Sequence, residues 1–306
     1  MKTERVDVID IKDLRKSYGL IKAVDGLSFK VKKGELFAFL GVNGAGKSTT
    51  ISVMCGTLAK DGGIVKINGI DTDKNPSAIK KQVGVVFQHS VLDKSLTVRE
   101  NLVHRASLYG ILGENCKKKI NYLCSLLDFE SFIDRPICKL SGGQRRKIDV
   151  ARALINDPEI LILDEPTTGL DPQTRSIMWK VVDKLRKECG MTVFLTTHYM
   201  EEASEADYVV IIDGGKIVAE GSPVQLKNQY TGDFITLYGI TELQVQSLNL
   251  PFEKLSSGSY RLEVKNTAEA TKLIIERPEL FSDYEIAKGK MDDVFLTATG
   301  KKLTEE

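Results

Sequence analysis

The sequence predicts an α/β fold built on a parallel core sheet, followed by a small α+β appendage. Three observations carry that expectation. Short continuous apolar runs, Leu36–Leu40, Val83–Phe87, Ile160–Leu163 and Val193–Leu195, alternate with stretches of helical periodicity. Runs of this kind suit strands covered on both faces, the condition of a parallel sheet flanked by helices. A glycine-rich segment, Gly41-Val42-Asn43-Gly44-Ala45-Gly46-Lys47-Ser48, opens directly after the first run. Near residue 225 the texture changes to strand patterns separated by polar turns.

Taken in order, residues near 7 to 38 alternate apolar and polar around a Lys33-Gly34 turn and read as antiparallel strands. After the glycine segment, Ile51, Met54, Cys55 and Leu58 recur at helical spacing, and Gly62-Gly63 are expected to stop that helix. Residues 97 to 156 form a helical stretch. Thr97-Val98-Arg99-Glu100 is a capping-box start, and Ile120, Leu123, Leu126 and Leu127 make one apolar face. Beyond 225, Asp233–Tyr238, Phe252–Leu255 and Tyr260–Val264 read as strands, with Ser256-Ser257-Gly258-Ser259 as a hairpin turn. Thr267–Arg277 and Lys290–Thr299 read as helices. The expected division is 1–224 for the main domain and 225–306 for an accessory domain.

Length and composition narrow the classes. A chain of 306 residues suggests about two domains. Lys+Arg 43 against Asp+Glu 42 leaves a net charge of +1, so no basic surplus exists to hold nucleic acid and none is expected as a partner. The five cysteines form no CxxC pair, which fits reduced thiols in a cytosol. The first residues are charged, without the apolar stretch of a signal peptide. Apolar runs such as Val209–Ile212 fall far short of the roughly 20 residues a membrane helix needs. If the protein works at a membrane, a different chain is expected to supply the spanning part.

Gly41 to Ser48 fits G-x-x-x-x-G-K-[ST] between a strand and a helix. Glycines let the backbone N–H groups of Gly41, Val42, Asn43, Gly44, Ala45 and Gly46 turn toward phosphates, and the helix adds its positive N-terminal end. Lys47 would reach the β- and γ-phosphates of ATP, Ser48 would ligate Mg²⁺, and Thr49 belongs to the same first helical turn. Ile160–Leu163 ends in Asp164-Glu165, the pattern of a second magnesium element, with Glu165 placed to polarise water. Gln88 follows one apolar run and His198 another, so these groups are all expected at carboxyl ends of parallel strands, where ligands bind. His89 and His104 have no such support.

Ser141-Gly142-Gly143-Gln144 precedes an amphipathic helix carrying Ile148, Ala151, Leu154 and Ile155. Ser-x-x-Gln is itself a capping box, yet paired glycines in a first turn each cost up to about 1 kcal/mol relative to Ala. Bare backbone that must approach a phosphate accounts for them. With Leu140, this segment resembles the signature of ATP-binding-cassette ATPases, and all the family's motifs occur in order over residues 8 to 224. Asp164-Glu165-Pro166-Thr167-Thr168-Gly169-Leu170-Asp171-Pro172 looks like Walker B plus the D-loop, Gln88 like the Q-loop and His198 like the H-switch. Leu140 to Leu154, Asp164 to Arg175, Thr196 to Ala203 and Met291 to Leu296 resemble the drug- and antibiotic-resistance exporter branch. Val42 stands where many relatives have proline, and Gln144 where some branch members have methionine.

The resemblance implies a phosphate-loop cassette with a parallel core sheet, an antiparallel β subdomain and a helical signature subdomain. It implies a head-to-tail dimer with a second copy or a homologous ATPase, ATP lying between the Lys47 loop of one copy and Ser141, Gly142, Gly143 and Gln144 of the other. Tyr18 would stack adenine, and Ser48, Gln88 and Asp164 would serve Mg²⁺. Glu165 would be the general base, His198 would contact the γ-phosphate, and Asp171 would couple the two sites. The partner would be a multi-span membrane permease docked near Gln88 to Tyr109, which places the chain in the cytoplasm, peripheral on the inner face of the cell membrane. A competing reading is a soluble cassette ATPase of translation, whose members usually carry two cassettes per chain. A third, a DNA-repair or chromosome-maintenance ATPase, would need a long coiled coil between phosphate loop and signature, where this chain has only about ninety residues.

Overall fold

A computed structural model describes residues 6–300. The chain divides into two compact units, one running to His198 and including Ala206–Ile217, the other taking Tyr199–Glu205 and the residues from Val218 onward.

The first unit opens with β1 (Asp7–Tyr18) and β2 (Ile21–Lys32), long antiparallel strands whose alternating side chains put Ile9, Ile11, Leu27 and Val31 inside. Then follow β3 (Leu36–Leu40), α1 (Lys47–Met54), β4 (Gly62–Ile67), β5 (Ile70–Asp71), α2 (Pro76–Gln82) and β6 (Val83–Val86). A helical layer comes next, α3 (Val98–Ser107), α4 (Gly113–Leu127) and α5 (Gly142–Ala153). The core resumes with β7 (Ile160–Asp164), α6 (Pro172–Cys189) and β8 (Thr192–Thr197), and after α7 (Met200–Ser204) with β9 (Tyr208–Asp213) and β10 (Lys216–Gly221).

Two sheets result. One is antiparallel, in the order β2-β1-β4-β5; the other has the order β10-β9-β3-β8-β7-β6. In the second sheet β9, β3, β8, β7 and β6 pair in parallel. That arrangement explains the continuous apolar runs, because every residue of β3 is buried and so is every residue of β8. Phenylalanines join the sheets. Phe29 of β2 lies 5.3 Å from Phe37 and 5.2 Å from Phe39, and Phe37 stacks on Phe194 of β8 at 5.3 Å. Burying each such ring contributes about 1.5–3 kcal/mol.

One expectation changes. The helix after the glycine segment ends at Met54, and Gly56, with φ of 64°, turns the chain out of it. Gly62 and Gly63 belong to β4 instead of stopping a helix. The stretch 97 to 156 is three helices, broken at Gly110 and at Asp128, which adopts φ of 54°. Thr97 caps α3 with reciprocal bonds to Glu100, as its sequence predicts.

Besides α7, the second unit contains α8 (Pro223–Tyr230), β11 (Asp233–Leu237), α9 (Glu242–Gln246), β12 (Phe252–Lys254), β13 (Tyr260–Val264), α10 (Thr267–Glu276), β14 (Tyr284–Lys288) and α11 (Met291–Thr299). Its antiparallel sheet has the order β12-β13-β11-β14, and Ile235, Leu237, Tyr260, Leu262 and Val264 form its apolar interior with Val245 and Ala270. Among the described residues, no helix is long and apolar enough to cross a membrane.

Candidate active site

Parallel pairing brings four strand ends to one edge. β3 runs into Gly41, β6 toward Gln88, β7 into Glu165 and β8 into His198. The register sets Asp164 beside Thr196 and Leu40 beside Thr197, and Gly41 N donates to Thr197 O at 3.3 Å.

The glycine loop wraps the N-terminus of α1. Gly46 is its N-cap, with φ of 109°, and a Cβ there would lie 2.4 Å from the Ala23 carbonyl oxygen. Glycine is therefore required by backbone conformation and by space. Lys47, 5% exposed, turns its ammonium back onto the loop, donating to Gly41 O at 2.7 Å and Val42 O at 3.3 Å. The same Nζ lies 3.0 Å from Glu165 Oε1.

Glu165 is the focus of the cluster. Gln88 Nε2 donates to its Oε2 at 3.1 Å, Thr168 Oγ1 reaches that oxygen at 3.4 Å, and His198 Nδ1 lies 3.5 Å away. Its carboxyl is held down at about 2, first by the His198 interaction and then by the Lys47 charge, against burial that raises it. Glu165 also has φ of 45°. The other described non-glycine residues with positive φ are Asp or Asn, which tolerate that region. A glutamate there, ahead of a proline, stores roughly 1–3 kcal/mol of strain. Thr196 holds it in place: Glu165 N donates to Thr196 O and Oγ1, both at 3.1 Å.

Neighbouring Asp164 accepts from Thr196 Oγ1 at 2.7 Å, and burial pushes its carboxyl above the usual range. Burial pushes the Cys55 thiol up to about 12, with the Asp164 charge adding to it.

The structure thus gathers Lys47, Gln88, Asp164, Glu165 and His198 around the loop end. The side-chain contacts of Ser141, Gln144, Asp171 and Tyr18 are local. Ser141 and Gln144 form a reciprocal capping box on α5, and Asp171 caps α6 through Thr174 N at 2.9 Å and Thr174 Oγ1 at 2.6 Å. Tyr18 is 52% exposed at the end of β1, its ring 5.8 Å from the Lys16 ammonium. Ser48 is exposed at the start of α1, beside half-buried Thr49. Sequence reasoning omitted Thr196 and Thr168, although a threonine closing an otherwise apolar buried strand is a signal for the first.

Hydroxyl, amide and carboxylate oxygens of Ser48, Gln88 and Asp164 are the hard donors Mg²⁺ takes. Gln88 turns its amide nitrogen to Glu165, which leaves its carbonyl oxygen as the atom that could meet a cation. No group of three or more His, Cys, Asp or Glu that could hold a metal occurs among the described residues.

The profile of a family described as ABC transporter matches residues 24–168. The Nod factor export ATP-binding protein I of Paraburkholderia xenovorans is 36% identical over 300 residues, covering 96% of this chain and 98% of that protein. Its counterpart in Rhizobium etli is 37% identical over 311 residues, covering 96% and 94%. Among solved structures, cbiO1 from Clostridium perfringens, part of the ABC transporter complex cbiONQ, superposes with a TM-score of 0.67 at 28% identity, over 72% of this chain and 90% of that one. An ATP-binding cassette solved as a dimer in a post-hydrolysis state, with ADP and Pi bound, gives 0.63 at 28%, over 70% and 98%.

Proposed function

The chain belongs to the ABC transporter family, as an ATP-binding, ATP-hydrolysing cassette, and from that premise we propose that it drives an exporter through a separate membrane permease. The observation that carries the reading is the Lys47–Glu165–Gln88–His198 cluster at the carboxyl ends of four parallel strands. Relatives named for export that align over almost the whole chain support the direction of transport.

In this reading Lys47 moves its ammonium from Glu165 to the β- and γ-phosphates of ATP. A carboxylate held at about 2 is too weak a base for work near neutral pH. Departure of His198 and of the Lys47 charge raises its proton affinity, and Glu165 then takes the proton of the attacking water. His198 leaves Glu165 to meet the γ-phosphate, and Tyr18 stacks adenine. Ser48, Gln88 and Asp164 would hold Mg²⁺, which supplies charge neutralisation at the phosphates.

Ser141, Gly142, Gly143 and Gln144 act on the nucleotide of a second copy or a homologous ATPase, and Asp171 couples the two sites. The permease docks beside Gln88, where Phe87, Val91, Val103, Leu108 and Leu112 are exposed apolar side chains. The chain would then sit on the cytoplasmic face of the membrane. Residues 1–224 form the cassette and 225–306 an accessory module that regulates closure or stabilises the dimer.

Co-expression with a multi-span partner tests the reading. Co-purification from membranes, lost on Leu108→Asp with basal ATPase unchanged, is the expected result. A chain that stays with ribosomes and never with membranes would favour the translational reading.

A further inference from the structure

Arg146 and Asp149 lie one turn apart on α5, both buried, at 6% and 4% exposure. Arg146 Nε donates to Pro166 O at 2.8 Å and its Nη1 to Phe87 O at 2.7 Å. Pro166 is the residue after Glu165, and Phe87 is the residue before Gln88. Asp149 faces the guanidinium at 3.9 Å and accepts from Ser90 Oγ at 2.9 Å, two residues beyond Gln88. One buried cation therefore grips the main chain on both sides of the Gln88–Glu165 contact, itself 3.1 Å long.

We propose that Arg146 is a positioning residue which, with Asp149, brackets the Gln88 and Glu165 loops together and ties both to the helix that begins at Ser141. The proposal rests on the reading of Glu165 as base and Gln88 as its neighbour in the site. The guanidinium is a planar fork whose donors keep a fixed separation, so two carbonyls on two loops are held at a set distance. A lysine ammonium, a single point of charge, cannot span both.

Stability alone is a poor reason for such a group. A buried ion pair is often replaced by apolar residues at no cost, and Arg146 Nη2 is buried without a hydrogen-bond partner, which is unfavourable. Transmission is a better reason. Ser141 lies five residues before Arg146, about 7.5 Å along a rigid helix axis. A shift of Ser141–Gly143 on meeting a second copy's nucleotide therefore reaches both loops through the bracket.

The test compares wild type, Arg146→Lys, Ser90→Ala and Glu165→Gln as purified full-length chains, measuring melting temperature, affinity for a fluorescent ATP analogue, and kcat and KM for ATP. Arg146→Lys is expected to lower kcat about 10- to 100-fold, the scale of a ~1 Å misplacement, with KM and analogue affinity within about threefold of wild type. Ser90→Ala, which frees Asp149 while leaving the arginine in place, should lower kcat by roughly three- to tenfold. Should Arg146→Lys fail to fold, Ser90→Ala decides alone. Wild-type kcat in Ser90→Ala and in a folded Arg146→Lys overturns the bracket, and so does a loss of ATP affinity as large as the loss of kcat. Glu165→Gln separates the two levels. If it still hydrolyses ATP, the catalytic reading itself falls and the bracket with it; if it is inactive while the other variants are normal, only the bracket falls.

Discussion

Lys47 Nζ and Glu165 Oε1 are 3.0 Å apart, and the two side chains are 4% and 10% exposed. His198 and then the Lys47 charge keep the Glu165 carboxyl below its usual range. Removing either partner leaves the other buried without its counter-charge, and the contact restrains the group assigned as base until a phosphate recruits Lys47.

Breaking this pair should have a measurable coupling. In a double-mutant cycle on urea unfolding, Lys47→Met and Glu165→Gln are each expected to destabilise the nucleotide-free chain. Together they should cost less than the sum, by about 0.5–3 kcal/mol. Additive costs would show that the two residues do not interact.

Glu165→Gln should leave ATP binding within a few-fold of wild type and lower turnover by about 10²–10⁴, the usual scale of a general base. Single-turnover hydrolysis beside an equilibrium binding titration checks both halves. Unchanged hydrolysis would remove Glu165 from its role.

The depressed carboxyl of Glu165 fixes the sign of a pH effect. Its folded value of about 2 lies below its ordinary 4.5, so the unfolded chain takes up the proton first as pH falls. Its stabilising contribution is thus complete above about pH 4.5 and is lost toward pH 2. Melting temperature followed over that range should fall more steeply in wild type than in Glu165→Gln. Parallel curves would contradict the assignment.

Gly142 and Gly143 separate by their surroundings. A Cβ on Gly143 would stand 3.3 Å from Thr174, whereas one on Gly142 would meet nothing within 4 Å. Gly142→Ala should therefore keep or raise the melting temperature, since alanine favours a helical turn by up to ~1 kcal/mol. Its turnover should fall, because only a second molecule is left to feel the added methyl. Wild-type turnover in that variant would remove the case for a partner's phosphate at this helix.

Much of this was legible in the sequence because parallel strands buried on both faces show as unbroken apolar runs. Leu36–Leu40 and Ile160–Leu163 are such runs, and their ends carry Gly41 and Asp164. The reading of Gly62-Gly63 as a helix stop failed because glycine marks a turn and a strand equally; the turn out of α1 is at Gly56. β14 was missed because it is an edge strand of exposed Tyr284, Glu285, Ile286 and Lys288, with no buried alternation to show. Paired glycines at 142 and 143 looked equally without structural purpose, yet Thr174 packs against one of them. Arg146 could not be assigned from spacing, since its partners are main-chain groups 20 and 59 residues away, brought close only by the tertiary fold.

The central claim is that each ATP site is built from the Lys47 loop of one copy and the Ser141–Gly143 segment of another. The most direct measurement mixes two variants inactive on their own, Lys47→Ala and Gly142→Asp, and follows ATP hydrolysis across mixing ratios. A mixed head-to-tail pair contains one site with an intact loop and an intact signature, so turnover should reappear and peak near equal amounts. A mixture no more active than its components at any ratio would contradict a site shared between copies.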